Sequence, residues 1–111
     1  MASERKVNLF NVPPRSRDYS RETTEERVEI MRHFGREYFD DPAFVGYGGY
    51  NYNGMWRETA LSIAQYFELP DNARILDVGC AKGFLLYDFK MANPTFQVHG
   101  VDVSEYAIDN A

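Results

Sequence analysis

Two acidic residues and a glycine-bearing turn are the part of this sequence best suited to chemistry. Asp77 stands two residues before Gly79, Gly83 follows four residues later, and Asp102 comes 19 residues after Gly83. Glycines lack a Cβ and so allow a ligand to approach the backbone closely. A carboxylate at the end of the next strand can accept both hydroxyl groups of a ribose. The spacing therefore predicts a binding site for a nucleoside-containing ligand.

The turn departs from two well-known phosphate-binding patterns. A P-loop needs a lysine after its second glycine and then serine or threonine, whereas Lys82 precedes Gly83 and no hydroxyl residue follows. The dinucleotide pattern GxGxxG would place glycines at positions 79, 81 and 84, and Ala81 and Phe84 occupy the last two. A nicotinamide dehydrogenase is therefore the least favoured of the ligand hypotheses.

Three residues of this region have a second interpretation. Asp102 lies just before Ser104 and could help to cap a helix there, but we place ribose binding first because of the paired glycine turn. Cys80 and Lys82 are interpreted as turn occupants without chemistry. A cysteine nucleophile needs a base, and no histidine is placed to serve as one.

Hydrophobic spacing predicts the elements that position the turn. Residues 75–78 form a short apolar run typical of a buried parallel strand. A helix is predicted over residues 82–92 and a second strand over residues 96–103, followed by a helix capped by Ser104. Residues 73–111 thus predict a right-handed βαβ unit, in which the carboxyl ends of both strands meet at one edge.

The preceding residues predict two helices and an aromatic loop. The first helix covers residues 25–39, with Thr24 as its N-cap and Gly35 as a weak point inside it. The second covers residues 55–69, with one apolar stripe that we expect to face the core: Trp56, Ala60, Ile63, Ala64 and Phe67. Residues 40–54 between them combine glycines and tyrosines. They suit a loop that packs on a ligand and, with equal weight, a connection whose tyrosines cover the core.

Length and composition limit the function classes. A chain of 111 residues, 44% hydrophobic and 26% charged, forms a single core and is not wholly disordered. The net charge of −5 comes from residues 41–111, which argues against nucleic acid as a partner. Absence of a long apolar run predicts no membrane contact and a cytoplasmic location. One cysteine and two distant histidines predict no metal site.

The segments ILDVGCAKGFLL and VHGVDVSEYAIDNA resemble the class I methyltransferases that use S-adenosylmethionine. The resemblance covers residues 74–111, and the glycine turn corresponds to the first motif of that family. A weaker resemblance links residues 45–56, VGYGGYNYNGMW, to a segment upstream of this motif in some bacterial methyltransferases from sugar and small-molecule pathways. The implied fold class is α/β, with N-terminal helices followed by the first βαβ unit of a Rossmann-like methyltransferase sheet, truncated after its second strand.

The resemblance also implies a cofactor and the residues that bind it. Asp77 and Gly79 would line the methionine end of S-adenosylmethionine, Gly83 would start the helix beneath it, Asp102 would bind the ribose and Val103 would lie near the adenine. Cys80 and Ala81 belong to the same turn, and Ala81 replaces the usual middle glycine of the family. Regions before the first motif often close over the cofactor, which implies contacts from Tyr52 to the sulfonium and from Arg57 to the methionine carboxylate.

These observations lead to a hypothesis of methyl transfer to a small-molecule acceptor. The predicted organisation is a flexible arm at residues 1–21, a helical lead-in with the glycine- and tyrosine-rich loop at residues 22–72, and half of a cofactor-binding domain at residues 73–111. Acceptor-side residues come from later strands in this family, so no catalytic residue is assigned. The alternative is a non-catalytic nucleoside-binding module, or a subunit completed by another chain. Two parallel strands leave an open edge, which predicts poor stability or self-association through that edge.

Overall fold

A computed structural model describes residues 8–10, 24–43 and 50–111. The predicted arm lies outside these residues except for positions 8–10, as does the part of the aromatic loop at residues 44–49. In chain order, the described elements are α1 (Glu25–Arg32), α2 (Arg36–Phe39), α3 (Arg57–Tyr66), β1 (Arg74–Val78), α4 (Phe84–Ala92), β2 (Gln97–Val101) and α5 (Glu105–Asp109).

The prediction of one helix over residues 25–39 is wrong, because the chain breaks between α1 and α2. Thr24 caps α1 as expected, with its hydroxyl oxygen accepting a hydrogen bond from the Arg27 amide at 3.2 Å. Phe34 then adopts a left-handed backbone with φ of 48°, which no α-helix accommodates. Gly35 follows in an extended conformation and starts α2. The weak point at Gly35 was recognised in the sequence, whereas the reversal at Phe34 was not.

The second helix, α3, is shorter than the predicted segment 55–69. Ala60 is buried, and Ile63 and Ala64 pack beside it, which confirms the centre of the apolar stripe. Phe67 was wrongly assigned to the core, since it is 60% exposed. The helix ends at Tyr66, and Glu68 adopts a left-handed φ of 49°; this reversal sends Leu69 toward the core instead. Trp56 is half-buried, and its ring contacts the edge of Phe10.

Strands β1 and β2 pair in parallel, as the βαβ prediction requires. Asp77 pairs with Gly100 and Val78 with Val101, so Asp102 is the first residue beyond the paired segment of β2. The prediction that the first strand is buried is wrong for one of its faces. Leu76 is 64% exposed and Val78 76% exposed, because α3 and α4 cover the opposite face, where Ile75 packs.

Two clusters of buried side chains hold these elements together. The core cluster lies between α3, α4 and the sheet, and its buried members are Ala60, Phe89 and Phe96. The edge cluster lies where the lead-in meets the turn after β1 and the helix after β2, and its buried members are Phe39, Tyr50 and Ala107. The lead-in therefore packs directly against the elements that form the predicted site.

None of the helices in the described part of the chain is long and apolar enough to cross a membrane. The sheet has two strands within that part, and Val101 is also half exposed on its uncovered face. Self-association through the sheet stays a prediction, as do the domain boundaries and the cytoplasmic location.

Candidate functional site

The turn between β1 and α4 has an unusual concentration of left-handed backbone. Gly79, Ala81 and Gly83 have φ values of 84°, 49° and 80°. A Cβ added at Gly79 or Gly83 would meet no atom within 4 Å, so the glycines are required by the backbone conformation rather than by crowding. The surface above both glycines is open. The turn can therefore receive a ligand without rearrangement of neighbouring side chains.

Hydrogen bonds that the turn donates to the end of β2 and to the residue after it fix the position of this turn. The amides of Gly79 and Cys80 both donate to the carbonyl oxygen of Val101, at 2.7 and 3.1 Å. The amide of Ala81 donates to Oδ2 of Asp102 at 2.8 Å. The structure thus brings the Asp102 carboxylate against the glycine turn, where the sequence predicted it.

Asp102 also supports the start of α5. Its Oδ1 accepts a hydrogen bond from the Ser104 amide at 2.8 Å, while the Ser104 hydroxyl oxygen caps α5 by accepting from the Ala107 amide at 3.0 Å. The predicted cap at Ser104 is confirmed, and the alternative role of Asp102 in the helix start is real. Each carboxylate oxygen keeps one of its two lone-pair positions for another donor. Ribose binding by Asp102 stays a prediction compatible with this geometry.

Asp77 lies half-buried in β1, two residues before Gly79. Burial is the main cause that raises the pKa of its carboxyl group, and the charge of Asp102 raises it further. Within the described residues no side chain or amide donates a hydrogen bond to this carboxylate. A cation beside it would offset both the desolvation and the repulsion.

Cys80 is buried beneath the turn, and burial, followed by the charges of Asp102 and Asp77, raises the pKa of its thiol. The thiol therefore stays protonated at neutral pH, in keeping with a turn occupant without chemistry. Gly100 makes room for it: a Cβ at Gly100 would lie 2.6 Å from the Cys80 Sγ and 2.8 Å from a methyl carbon of Leu86. Gly100 was not among the predicted site residues, although a glycine inside a strand signals close approach.

Lys82 has a structural role that the sequence analysis missed. The residue is only 9% exposed, and its Nζ donates to Oδ1 of Asp40 at 2.7 Å and to the carbonyl oxygen of Tyr50 at 2.8 Å. The other oxygen of Asp40 accepts a hydrogen bond from the Tyr106 hydroxyl. We call these four residues the Lys82 cluster. No spacing rule could have found it, because Asp40 and Lys82 are 42 positions apart.

Opposing effects act on the carboxyl group of Asp40. Burial has the largest individual effect and raises its pKa. The hydrogen bonds from Lys82 and Tyr106, with the positive charge of Lys82, together outweigh burial and lower it. Asp40 is therefore held in its charged form next to the glycine turn.

Tyr52 and Arg57 lie together beside α4. The Tyr52 hydroxyl donates to Oδ1 of Asp88 at 2.6 Å, and this hydrogen bond is the main cause that raises the Tyr52 pKa. A hydrogen bond with Tyr52 is likewise the main cause that raises the Arg57 pKa. Asp88 is buried at 1% exposure, which makes this contact a second anchor of the lead-in. Asp88 was not among the residues predicted from the sequence.

The remaining predicted residues have a clear placement. Tyr52 and Gly83 line the same open, largely apolar cavity of about 500 Å³. Val103 follows Asp102 and is 86% exposed at the same edge of the sheet. Contacts of Tyr52, Arg57 and Val103 with a cofactor stay predictions. Among the described residues, no group of three or more histidine, cysteine or acidic side chains is arranged to hold a metal ion.

Residues 69–111 match the model of a protein family described as Methyltransferase domain. The match covers both strands, the glycine turn, α4 and α5, and it confirms the resemblance drawn from residues 74–111. This stretch is therefore similar to methyltransferase domains, whose general function is methyl transfer. Neither a curated protein nor a solved structure matches the chain.

Proposed function

We propose that the glycine turn binds S-adenosylmethionine and that the protein transfers its methyl group to a small-molecule acceptor. The observation that carries the proposal is the hydrogen bond between Asp102 and the Ala81 amide, with Asp77 close by. It joins the two acids and the glycine turn into one site at the carboxyl edge of a parallel pair, where ligands of open α/β sheets bind. In this proposal β1, α4 and β2 are the first unit of a Rossmann-like sheet.

The charge of the site suits the methionine end of this cofactor. S-adenosylmethionine carries an ammonium group and a sulfonium, both cationic. Asp77 is desolvated and lies near a second acid, so a cation nearby lowers the free energy of its charged form. The open surface above Gly79 allows the ligand to approach the backbone.

The ribose end suits Asp102. Two backbone amides hold its carboxylate in place before any ligand arrives, so little side-chain entropy is lost on binding. The free lone pairs of both oxygens can accept the two ribose hydroxyls. Since an acid in this place repels a phosphate, we expect unphosphorylated ribose to be preferred.

The bound cofactor supplies an activated methyl group, and the residues of this chain bind and orient it. The net charge of −5 disfavours a polyanionic acceptor such as nucleic acid. A small-molecule acceptor agrees with this charge and with the weaker resemblance of residues 45–56.

Calorimetry with three ligands separates the two acids. S-adenosylmethionine and S-adenosylhomocysteine carry both the amino-acid part and the ribose, whereas methylthioadenosine lacks the amino-acid part. Asp77→Asn should weaken the binding of the first two ligands by about tenfold or more, because a charge-assisted hydrogen bond contributes roughly 1.5–3 kcal/mol. It should leave the affinity for methylthioadenosine unchanged. Asp102→Asn should weaken all three.

Asp109→Asn is the matched control, since Asp109 is an exposed acid on α5 and should leave every affinity unchanged. NAD serves as the control ligand and should bind poorly. Absence of S-adenosylmethionine binding to the wild-type chain would overturn the proposal. Equal affinity for adenosine and for S-adenosylmethionine would instead favour the non-catalytic nucleoside-binding module.

A further inference from the structure

The Lys82 cluster connects three segments that are distant in sequence. Lys82 belongs to the glycine turn, Asp40 and Tyr50 belong to the helical lead-in, and Tyr106 belongs to α5. Lysine is rarely buried unless its charge is paired, and here one ammonium group binds a carboxylate and a backbone carbonyl of the lead-in. The lead-in is thus held to the turn by a cation that water does not reach easily.

A second hydrogen bond makes the same connection from α5. The Ser104 hydroxyl donates to the carbonyl oxygen of Phe34 in the lead-in. The Ser104 amide donates to Asp102, which in turn holds the Ala81 amide. Two of the residues that anchor the lead-in, Lys82 and Ser104, are therefore bonded to or adjacent to the proposed cofactor residues.

Apolar contacts also hold the lead-in against the glycine turn and α5. The methyl group of Ala81 packs against the edge cluster, as do the rings of Phe84 and Tyr106. The Tyr50 ring lies 4.5 Å from the Phe84 ring, measured between centroids, immediately after the turn. Movement of the lead-in away from this edge would break apolar and ionic contacts together, which favours a two-state docking of the lead-in over gradual displacement.

We propose that Lys82 is a positioning residue that couples docking of the lead-in to binding at the glycine turn. The inference rests on the proposed function and deepens it: S-adenosylmethionine binds the docked form more tightly, and by linkage its binding strengthens docking. Lys82 acts through the shape of the turn and not by contact with the cofactor.

The test uses hydrogen exchange and calorimetry on the full chain. The Tyr50 amide donates to the carbonyl oxygen of Phe39 at 3.0 Å within the lead-in, and the Tyr50 carbonyl oxygen accepts from Lys82 of the turn, so the exchange rate of this amide reports how firmly the docked segment is held. S-adenosylmethionine should slow this exchange in the wild-type chain. Lys82→Met keeps the apolar stem and removes the charge, so it should abolish the slowing at Tyr50 and raise the Kd about tenfold or more.

Lys90→Met is the matched control. Lys90 lies on α4 and, like Lys82, donates from Nζ to a backbone carbonyl, that of Phe96 at 2.7 Å, but it lies at the end of this helix far from the turn. We expect this variant to keep the ligand-induced protection of Tyr50 and the wild-type Kd. If Lys82 had a purely structural role, Lys82→Met would lower thermal stability but would match Lys90→Met in the ligand-induced protection of Tyr50 and in the Kd.

Asp40→Asn changes the other partner of the same interaction and preserves side-chain size. It replaces Lys82→Met in the test if that variant does not fold. It should show a smaller reduction of the ligand-induced protection of Tyr50 and a smaller rise in the Kd. A Kd within twofold of wild type for a folded variant, with protection of Tyr50 retained, would overturn the coupling and leave the proposed function intact. Absence of binding to the wild-type chain would overturn both.

Discussion

The core cluster and the carboxyl edge of the sheet are held by different forces. Phe89 and Phe96 in the core are almost fully buried and surrounded by aliphatic side chains. The edge instead contains three left-handed residues, an acid with a raised pKa and a buried lysine. The comparison teaches that apolar burial holds the core, while the edge combines a left-handed turn with partly buried charges that a cationic ligand would compensate.

The largest effect is expected in the core, from Phe96→Ala. Phe96 is buried against the edge of Phe89, and its truncation leaves a cavity. We expect a loss of about 3–5 kcal/mol, enough to unfold much of a marginally stable domain. Urea unfolding followed by circular dichroism measures it. Val101→Ala on the uncovered face is the control and should lower the free energy of unfolding far less. Equal losses in the two variants would contradict the proposed difference between the core and the edge.

Gly100→Ala tests the boundary between the two regions. The new methyl group would overlap Cys80 and a methyl group of Leu86, so we expect a loss of about 1–3 kcal/mol from overpacking. Gly35→Ala is the matched control, since the nearest atom there is a Glu37 carboxylate oxygen at 3.5 Å and the backbone is extended. Thermal melts of both variants decide the matter, and a Gly100→Ala melt equal to wild type would contradict the crowding.

Gly79→Ala measures strain at the edge alone. Its Cβ meets nothing, so the whole cost, about 1–2 kcal/mol, comes from the left-handed backbone. Ala81→Gly relieves similar strain but loses a methyl contact with the edge cluster, which contributes about 0.8 kcal/mol. We expect the second variant to stay close to wild type in chemical unfolding. Strong stabilisation by Ala81→Gly would show that the methyl contact contributes little.

The smallest effects are electrostatic and depend on pH. The pKa of Asp77 is raised above its ordinary value of 3.8, so the unfolded state releases the proton first and the chain loses stability as pH rises from 3.8 through the folded pKa. Asp77→Asn removes this loss and should be more stable than wild type at neutral pH by less than about 1 kcal/mol. Urea midpoints across a pH series test this.

Asp40→Asn should behave in the opposite way. The pKa of Asp40 is lowered, so its contribution is present above 3.8 and disappears as pH falls through the folded pKa. The variant should be less stable than wild type at neutral pH, and this deficit should shrink in acid. If Asp77→Asn and Asp40→Asn were both more stable, or both less stable, than wild type at neutral pH, the assignment of one destabilising and one stabilising carboxylate would be contradicted.

Local patterns were sufficient for much of the fold and the site. The two strands, α4, the cap at Ser104 and the place of Asp102 beside the turn follow from spacing and from the geometry of parallel strands. The errors in the helices lie where a single residue reverses the chain, at Phe34 and Glu68. Left-handed conformations of such residues are set by packing, and their residue types carry no local signal for them.

The sequence by itself determined the glycine turn, the acid at each strand end and the methyltransferase resemblance, because these depend on residue type and on separations shorter than one βαβ unit. Only the tertiary structure decided that Lys82 binds Asp40 and that Gly100 accommodates Cys80. Lys82 and Asp40 are 42 positions apart, which no local pattern relates, and the partner of Gly100 depends on how the turn packs against β2. Both contacts form because burial requires a charge to be paired and a side chain to have space.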